Sequence, residues 1–524
     1  MAGRRRSAGN AAVPPGGTGA VPPGEPTRVT SPVFVGRRAE LAWLAGGLAR
    51  VHGGSPAALL IGGDAGIGKS RLVREFAMAA GPAARVLIGR CPELGAVGLP
   101  YAPFTAVLRL LVRDPAAARL VCPPGSELTR LLPELGDPGD RSGEVAPREA
   151  RARLFVQMLS LLEQLGSQRP VVLVIEDAHW ADESTRNLIS FLIDNQRGMH
   201  GVMIVVTYRS DELHRSHPLG SLLAGLGKLG WVQRTELDGL SRDESTELTA
   251  RILGGQPVPS FIERIRRRAR GNPLFTEELL RGDRAPAATP RDLMLAAIRR
   301  LPEQTQDVLQ AASVGGQRTS RALLAAVTGL DSDELAATLR PAEAAGVLSV
   351  CQDPAAVRDC VFRHALIGEA LHQDLLPCEH TALHRRFATV LQADPSLVPA
   401  GSAAIERAEH WQHAHDPARA LGSAWQAAAE AGRALGSAER LAMLVRVLEL
   451  WGSVPDAWRL TGTGHTDVLR QAAQAADAAG ETQLSSTLAA AASAEDFVDI
   501  TPQRAARLLG RHDRTPSGAD HAPR

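Results

Sequence analysis

The rhythm of apolar and polar positions changes three times along the chain. Residues 1–32 have no apolar period and are rich in Pro, Gly and Ala, which reads as a disordered leader. The first ordered pattern is Phe34-Val35-Gly36-Arg37, followed by Glu40-Leu41 and helical spacing through Leu48. An apolar strand over Ala57–Ile61 then meets a Gly-rich turn, after which Leu72, Val73, Phe76 and Ala80 share one helical face. Between about 85 and 245, short β-branched runs alternate with helical spacings: Val86-Leu87-Ile88, Val171 to Ile175, and Val202 to Thr207. Continuous apolar strands separated by helices predict a parallel sheet covered on both faces.

Beyond 245 the strand signals nearly vanish. A basic helix within 257–280 leads to Gly271-Asn272-Pro273 and a second helical start. Residues 291–362 give three helical patterns, then Val347-Leu348-Ser349-Val350 and Val361-Phe362, an order resembling a winged helix. From 366 to about 495 the chain is Ala- and Leu-rich and helical. Ile405 to His415 pairs with Ala418 to Gly432 across Asp416-Pro417, and Ser437 to Trp451 with Asp467 to Gly480, a loose tetratricopeptide-like spacing. Residues 511–524 form a polar tail.

Composition narrows the class. Of 524 residues, 44% are hydrophobic and 22% charged, as in an ordinary globular protein, and 58 basic against 57 acidic side chains leave a net charge of +1. That balance argues against a surface built as a whole for nucleic acid or anionic lipid. No apolar run is long enough to span a bilayer, and no secretory pattern follows Arg4-Arg5-Arg6. Five scattered cysteines without C-x-x-C fit neither a disulfide scaffold nor a Cys-type zinc site, so the expected compartment is the cytoplasm. Only Lys69 and Lys228 are lysines, the remaining basic residues being arginine, so a retained lysine calls for a reason.

Lys69 has one. Gly63-Asp64-Ala65-Gly66-Ile67-Gly68-Lys69-Ser70 is a complete G-x-x-x-x-G-K-[ST], with Arg71 next to it. Its glycines let backbone N–H groups turn toward phosphate oxygens, and the following helix adds its positive end. Lys69 would reach the β- and γ-phosphates and the Ser70 hydroxyl would ligate Mg2+. About 0.002 chance matches are expected in a chain of this composition, so the incidental reading is set aside. The strand Val171 to Ile175 ends in Glu176-Asp177, two carboxylates able to serve Mg2+ and the attacking water. Asp is usual at the first position, so the division of labour between the two stays open. The strand Val202 to Thr207 leads through Tyr208 to Arg209, whose fork suits a γ-phosphate sensor.

With these motifs the chain resembles the signal-transduction ATPases with numerous domains (STAND), a branch of AAA+-like P-loop proteins, and among them the large ATP-binding regulators of the LuxR type. The resemblance spans roughly residues 33–490. Besides the three motifs it is carried by Phe34-Val35-Gly36-Arg37, Leu99-Pro100-Tyr101-Ala102-Pro103-Phe104, Leu131-Leu132-Pro133-Glu134-Leu135, Ala178-His179-Trp180-Ala181-Asp182, Gly271-Asn272-Pro273-Leu274-Phe275 and Phe362-Arg363-His364-Ala365-Leu366. It implies an α/β P-loop core at 33–240, a helical lid at 241–288, a winged-helix-like domain at 289–365 and an all-α tetratricopeptide-like region at 366–510. It further implies an adenine pocket lined by Val35, Gly36 and Arg37, Pro273 packed on the base from the lid, and His364 against the β-phosphate of ADP. In those relatives the histidine is usually followed by Asp, where this chain has Ala365.

The resemblance implies ATP or ADP with Mg2+, slow hydrolysis serving a regulatory switch in transcriptional control, a signal ligand or protein on the C-terminal helices, and nucleotide-dependent self-association. Residues 495–524 show no LuxR-type helix-turn-helix pattern, which argues against DNA binding by this chain alone. The alternatives are an interaction scaffold with a structural nucleotide, an ATPase module like those attached to adenylate cyclases, and a small-molecule kinase, for which no acceptor pocket is legible. Arg264, Arg266, Arg267, Arg268 and Arg270 read as a solvated lid face. Cys378, His380 and His384, and separately His410, His413 and His415, lack a set that completes a tetrahedral metal site, so metal binding there is not expected. Trp411, Trp425 and Trp451 read as packing residues, and His179, Trp180 and Asp182 as structural.

Overall fold

The structure, a computed structural model, describes residues 34–93, 98–135, 146–214, 216–255, 258–281, 290–350 and 359–494. The expected leader, tail and residues 495–510 lie outside them. Five parallel strands form the first layer: β1 Ala57–Gly62, β2 Arg85–Arg90, β3 Val171–Glu176, β4 Val202–Thr207 and β5 Val232–Glu236, in the spatial order β2-β3-β4-β1-β5. Every residue of β1, β3 and β4 is buried. Their alternate side chains feed two cores. Leu59, Ile61, Val172, Val174, Met203 and Val205 pack under the helices Arg38–His52 and Lys69–Ala80. Ala58, Leu60, Leu173, Ile175, Ile204 and Val206 pack under the helices Ala102–Leu111, Pro147–Gln168 and Glu183–Asp194. β5 escapes the apolar-run rule because Val-Gln-Arg-Thr-Glu is a half-exposed edge strand, held by register to β1 instead of by a buried face.

Three helices, Arg242–Leu253, Pro259–Ala269 and Pro273–Arg281, form the lid. Arg266 and Arg267 both pair with Glu263 on its outer face. Next come the helices Pro290–Ile298, Glu303–Val314, Arg321–Thr328 and Ser332–Ala344 with a three-stranded antiparallel sheet, β6 Arg318–Ser320, β7 Leu348–Val350 and β8 Asp359–Phe362, in the order β6-β8-β7. This is the expected winged-helix-like order with one more strand; β6 is three residues long and carries no apolar run. The helices Ala365–Asp374 and Pro377–Ala393 lead into the hairpins Ala403–His413/Pro417–Arg433 and Ser437–Trp451/His465–Ala479, with Thr482–Ser493 packed last. Their core is mostly Ala and Leu, the small side chains letting helix backbones approach closely. No helix among the described residues is long and apolar enough to cross a membrane.

Candidate functional site

The Gly-rich turn leaves β1 and enters the helix Lys69–Ala80 with Gly63, Gly66 and Gly68 all at positive φ (148°, 77° and 105°). A Cβ on Gly68 would meet nothing within 4 Å, so the loop encloses open space where its backbone turns. Lys69 is buried and its ammonium donates to the carbonyls of Gly63 at 2.5 Å and Asp64 at 2.9 Å. Burial pulls its pKa down to about 8 against the attraction of Asp177. Such a loop, with a chain-reversing lysine inside it, is built to receive phosphate oxygens.

The loop faces a cavity of about 1120 Å³ shared by three parts of the chain. From the core come Ala65 to Arg71, Arg90, Asp177 and Arg209. From the lid come Leu248, Pro273 and Leu274, and with Phe34, Val35 and Leu240 of the core they give the cavity an apolar flank. From the winged-helix-like part come Arg300, Gln317, Arg363 and His364. Sequence-expected residues that do not line it are Gly36, Gly63, Asp64 and Glu176, and each has another task. Gly63 and Asp64 present their carbonyls to Lys69. Gly36, at φ 70°, lies so close to Glu244 that a Cβ would fall 2.1 Å from its carboxylate. That carboxylate accepts from the Arg37 N–H at 3.2 Å and closes the capping box with Ser241. The Arg37 guanidinium donates to the Asp238 carbonyl at 2.5 Å and the Ile67 carbonyl at 3.2 Å, so it ties the entry segment to the P-loop.

The two carboxylates after β3 diverge. Glu176 turns to Arg90, at 2.8 Å, because parallel register sets the last residue of β2 beside the last of β3. Its second oxygen is buried without a hydrogen-bond partner. Asp177, at φ 57°, swings to the cavity wall, where its N–H donates to Thr207 Oγ1 at 3.1 Å and Arg90 Nε stands 3.6 Å from its carboxylate. Burial raises its pKa, with Arg90 opposing.

Arg209 lies where expected after β4, and its Nη1 is shared by two carboxylates. It pairs with Glu212 and, at 2.9 Å, with Glu369 on the helix that begins at Ala365, and it sits 5.0 Å over the Trp180 ring. His179 supports it, Nδ1 accepting from the Arg209 N–H at 3.4 Å. The Gly271-Asn272-Pro273 turn fastens the lid to the loop. Asn272 Nδ2 donates to the Ala65 carbonyl at 2.9 Å while its Oδ1 accepts from Leu274 N–H at 3.0 Å. Leu274 presses onto Gly66, where a Cβ would come within 2.5 Å of Leu274 Cδ2. Arg90, Asn272 and Glu369 were not read as site residues from the sequence. Arg90 was findable as a strand-terminal arginine, whereas Glu369 is one acid among 57.

Comparison with known proteins bears on the fold that carries this geometry. Residues 33–206 match the AAA ATPase domain family. An uncharacterized protein of Rhizobium meliloti is 26% identical over 388 residues, 66% of this chain and 36% of that protein, so the chain spans about a third of its relative's length. Among solved structures, a STAND protein with a tetratricopeptide repeat sensor from Pyrococcus horikoshii matches 92% of this chain and 67% of its own, at a TM-score of 0.50 and 15% identity. A Walker-type ATPase of Pyrococcus abyssi matches 64% of this chain and 96% of its own at a TM-score of 0.34 and 18% identity. Residues 33–206 are thus similar to AAA ATPase domains, in a chain whose fold is similar to that of a STAND protein with a tetratricopeptide repeat sensor.

Proposed function

We propose that the chain is a nucleotide-controlled switch in which ATP or ADP holds core, lid and winged-helix-like part together. The observation that carries this is the single cavity lined by all three, with the P-loop on one side and Arg300, Arg363 and His364 on the other. The donor set fits a nucleoside di- or triphosphate. Gly-rich backbone and Lys69 suit phosphate oxygens, while Val35, Leu248 and Pro273 offer the base an apolar flank. His364 is on the wall where it can meet a phosphate.

Ser70 and Asp177 are the residues that would hold Mg2+, which when bound neutralises charge developing on the transferred phosphoryl group. For hydrolysis, Lys69 stabilises the β- and γ-phosphate oxygens. Asp177, whose carboxylate faces the cavity, orients the attacking water, and Glu176 holds Arg90 behind it. Arg209 gives Nη1 to Glu369 while lining the cavity, so the Glu369 pair ties the sensor to the helix that begins at Ala365. A switch needs only differential affinity for two arrangements, so slow turnover suffices. The resemblance to LuxR-type regulators supports transcriptional control as the output, with a signal acting on the C-terminal helices and self-association following exchange.

The test is the nucleotide content of freshly purified protein, read by denaturation and chromatography beside Lys69→Ala. Stoichiometric ADP in the wild type and none in the variant is expected. A wild type that neither retains nor binds nucleotide with Mg2+ would sink the switch and leave an interaction scaffold.

A further inference from the structure

The helix Ala365–Asp374 starts at His364 on the cavity wall, holds Glu369 against Arg209, and carries His372 in its last turn. His372 meets the two histidine groups that looked incomplete in the sequence. The helices Pro377–Ala393 and Ala403–His413 pack side by side, and this brings His380 and His384 against His410 and His413. His372, His380 and His384 each offer a ring nitrogen, and the three nitrogens lie within 4.8 Å of one another. Nε2 of His380 and Nε2 of His384 are 3.2 Å apart. Two nitrogens bound at 2.0–2.1 Å on a tetrahedral zinc ion would be separated by about 3.3 Å. The His413 ring is centred 4.6 Å from that of His384 and 5.4 Å from that of His380.

We infer that this cluster is a binding site for a divalent first-row transition metal of the zinc type, with His372, His380 and His384 as the three protein ligands and the fourth position left to water. An all-imidazole set selects such ions, whereas Mg2+ and Ca2+ require oxygen. Outer partners that orient ligating rings are already in place. Nδ1 of His384 stands 2.9 Å from Nδ1 of His410, leaving Nε2 for a metal. Nε2 of His413 stands 3.2 Å from the Glu409 carboxylate, which holds that ring beside the three ligands. The His372 ring is half-buried beside the Ser313 backbone, which holds it at the cluster. This proposal departs from the sequence expectation of no metal there. Each histidine group was incomplete alone because its complement lay on another helix.

The ion would join the helix Ala365–Asp374 to the long helix that follows it, Pro377–Ala393, against which Ala403–His413 packs. The inference stands independently of the nucleotide reading, and its test keeps the two apart. Tag-free full-length protein, stripped with chelator, is titrated with Zn2+ and with Co2+. One equivalent of Zn2+ should bind and raise the melting temperature, and Co2+ should give the intense visible bands of a tetrahedral site that Zn2+ then bleaches. His372→Gln and His380→Gln, both at partly exposed positions, should each weaken binding at least about tenfold. Lys69→Ala should keep its equivalent of Zn2+. Absence of saturable binding, an octahedral Co2+ spectrum, or affinity unchanged in both histidine variants would overturn the site. Should either variant unfold, the wild-type Co2+ spectrum decides.

Discussion

At the residue scale, the site depends on which way two adjacent carboxylates point and on how much room one glycine leaves. Asp177 faces the cavity and Glu176 faces Arg90, so their substitutions should differ in kind. Asp177→Asn should lower ATP turnover about 100-fold or more while nucleotide is still bound, as measured by phosphate release and equilibrium binding. Glu176→Gln should instead cost about 1–3 kcal/mol of stability in denaturant unfolding, because it leaves Arg90 only the longer contact with Asp177. Equal turnover losses with no stability difference would reverse these assignments. Gly66→Ala should strain a φ of 77° and push Leu274 off the loop, speeding nucleotide release about tenfold, at a backbone cost of about 1–2 kcal/mol.

At the scale of elements, the helix Ala365–Asp374 links two sites. One end holds Glu369 on Arg209, and the other presents His372 to the histidine cluster. Arg209 and Glu369 are 160 residues apart in sequence, yet both are largely buried at the contact, so the pair counts for more than a surface bridge. Glu369→Gln should release nucleotide about fivefold faster or more, a coupling of ordinary allosteric size, in a stopped-flow chase. An unchanged rate would mean that the winged-helix-like part is held by other contacts, such as Arg363 with Glu277 at 3.3 Å.

At the scale of the whole molecule, the C-terminal helices dock back on the ATPase core. Glu439 accepts from the Ser184 N–H at 3.0 Å and from its hydroxyl at 2.6 Å, at the start of the helix Glu183–Asp194. The Tyr101 hydroxyl donates to the Leu435 carbonyl at 3.5 Å, and Gly436 lies where a Cβ would strike Pro100. Burial, then the nearby Asp182 carboxylate, raises the Glu439 pKa to about 7. Glu183, Arg186, Arg151, Glu481 and Tyr101 also face this junction. The folded state therefore binds the Glu439 proton more tightly than the unfolded chain. The stability this contributes is full below about pH 4.5 and is lost as pH rises through about 7. Docking should tighten on mild acidification. Glu439→Gln should flatten that dependence and raise the melting temperature at pH 8 by about 2–4 °C, whereas an unaltered pH profile would assign the effect to another group.

Local chemistry decided what could be read in advance. Gly63 to Ser70 announces a phosphate loop because its function resides in consecutive backbone N–H groups, and β1, β3 and β4 are legible because strands buried on both faces must be apolar throughout. The Ala- and Leu-rich helices, their Asp416-Pro417 break and the lid turn at Gly271-Asn272-Pro273 are likewise local signals. Tertiary structure alone decided the rest. β5 and β6 exist by pairing with neighbours, and Glu176 parted from Asp177 because parallel register brought Arg90 alongside. Glu369 reached Arg209, Glu439 reached Ser184, and the histidines converged through the packing of helices distant in sequence or joined by turns. A single charged or imidazole side chain has no periodic signature, so its partner is set by the fold that encloses it.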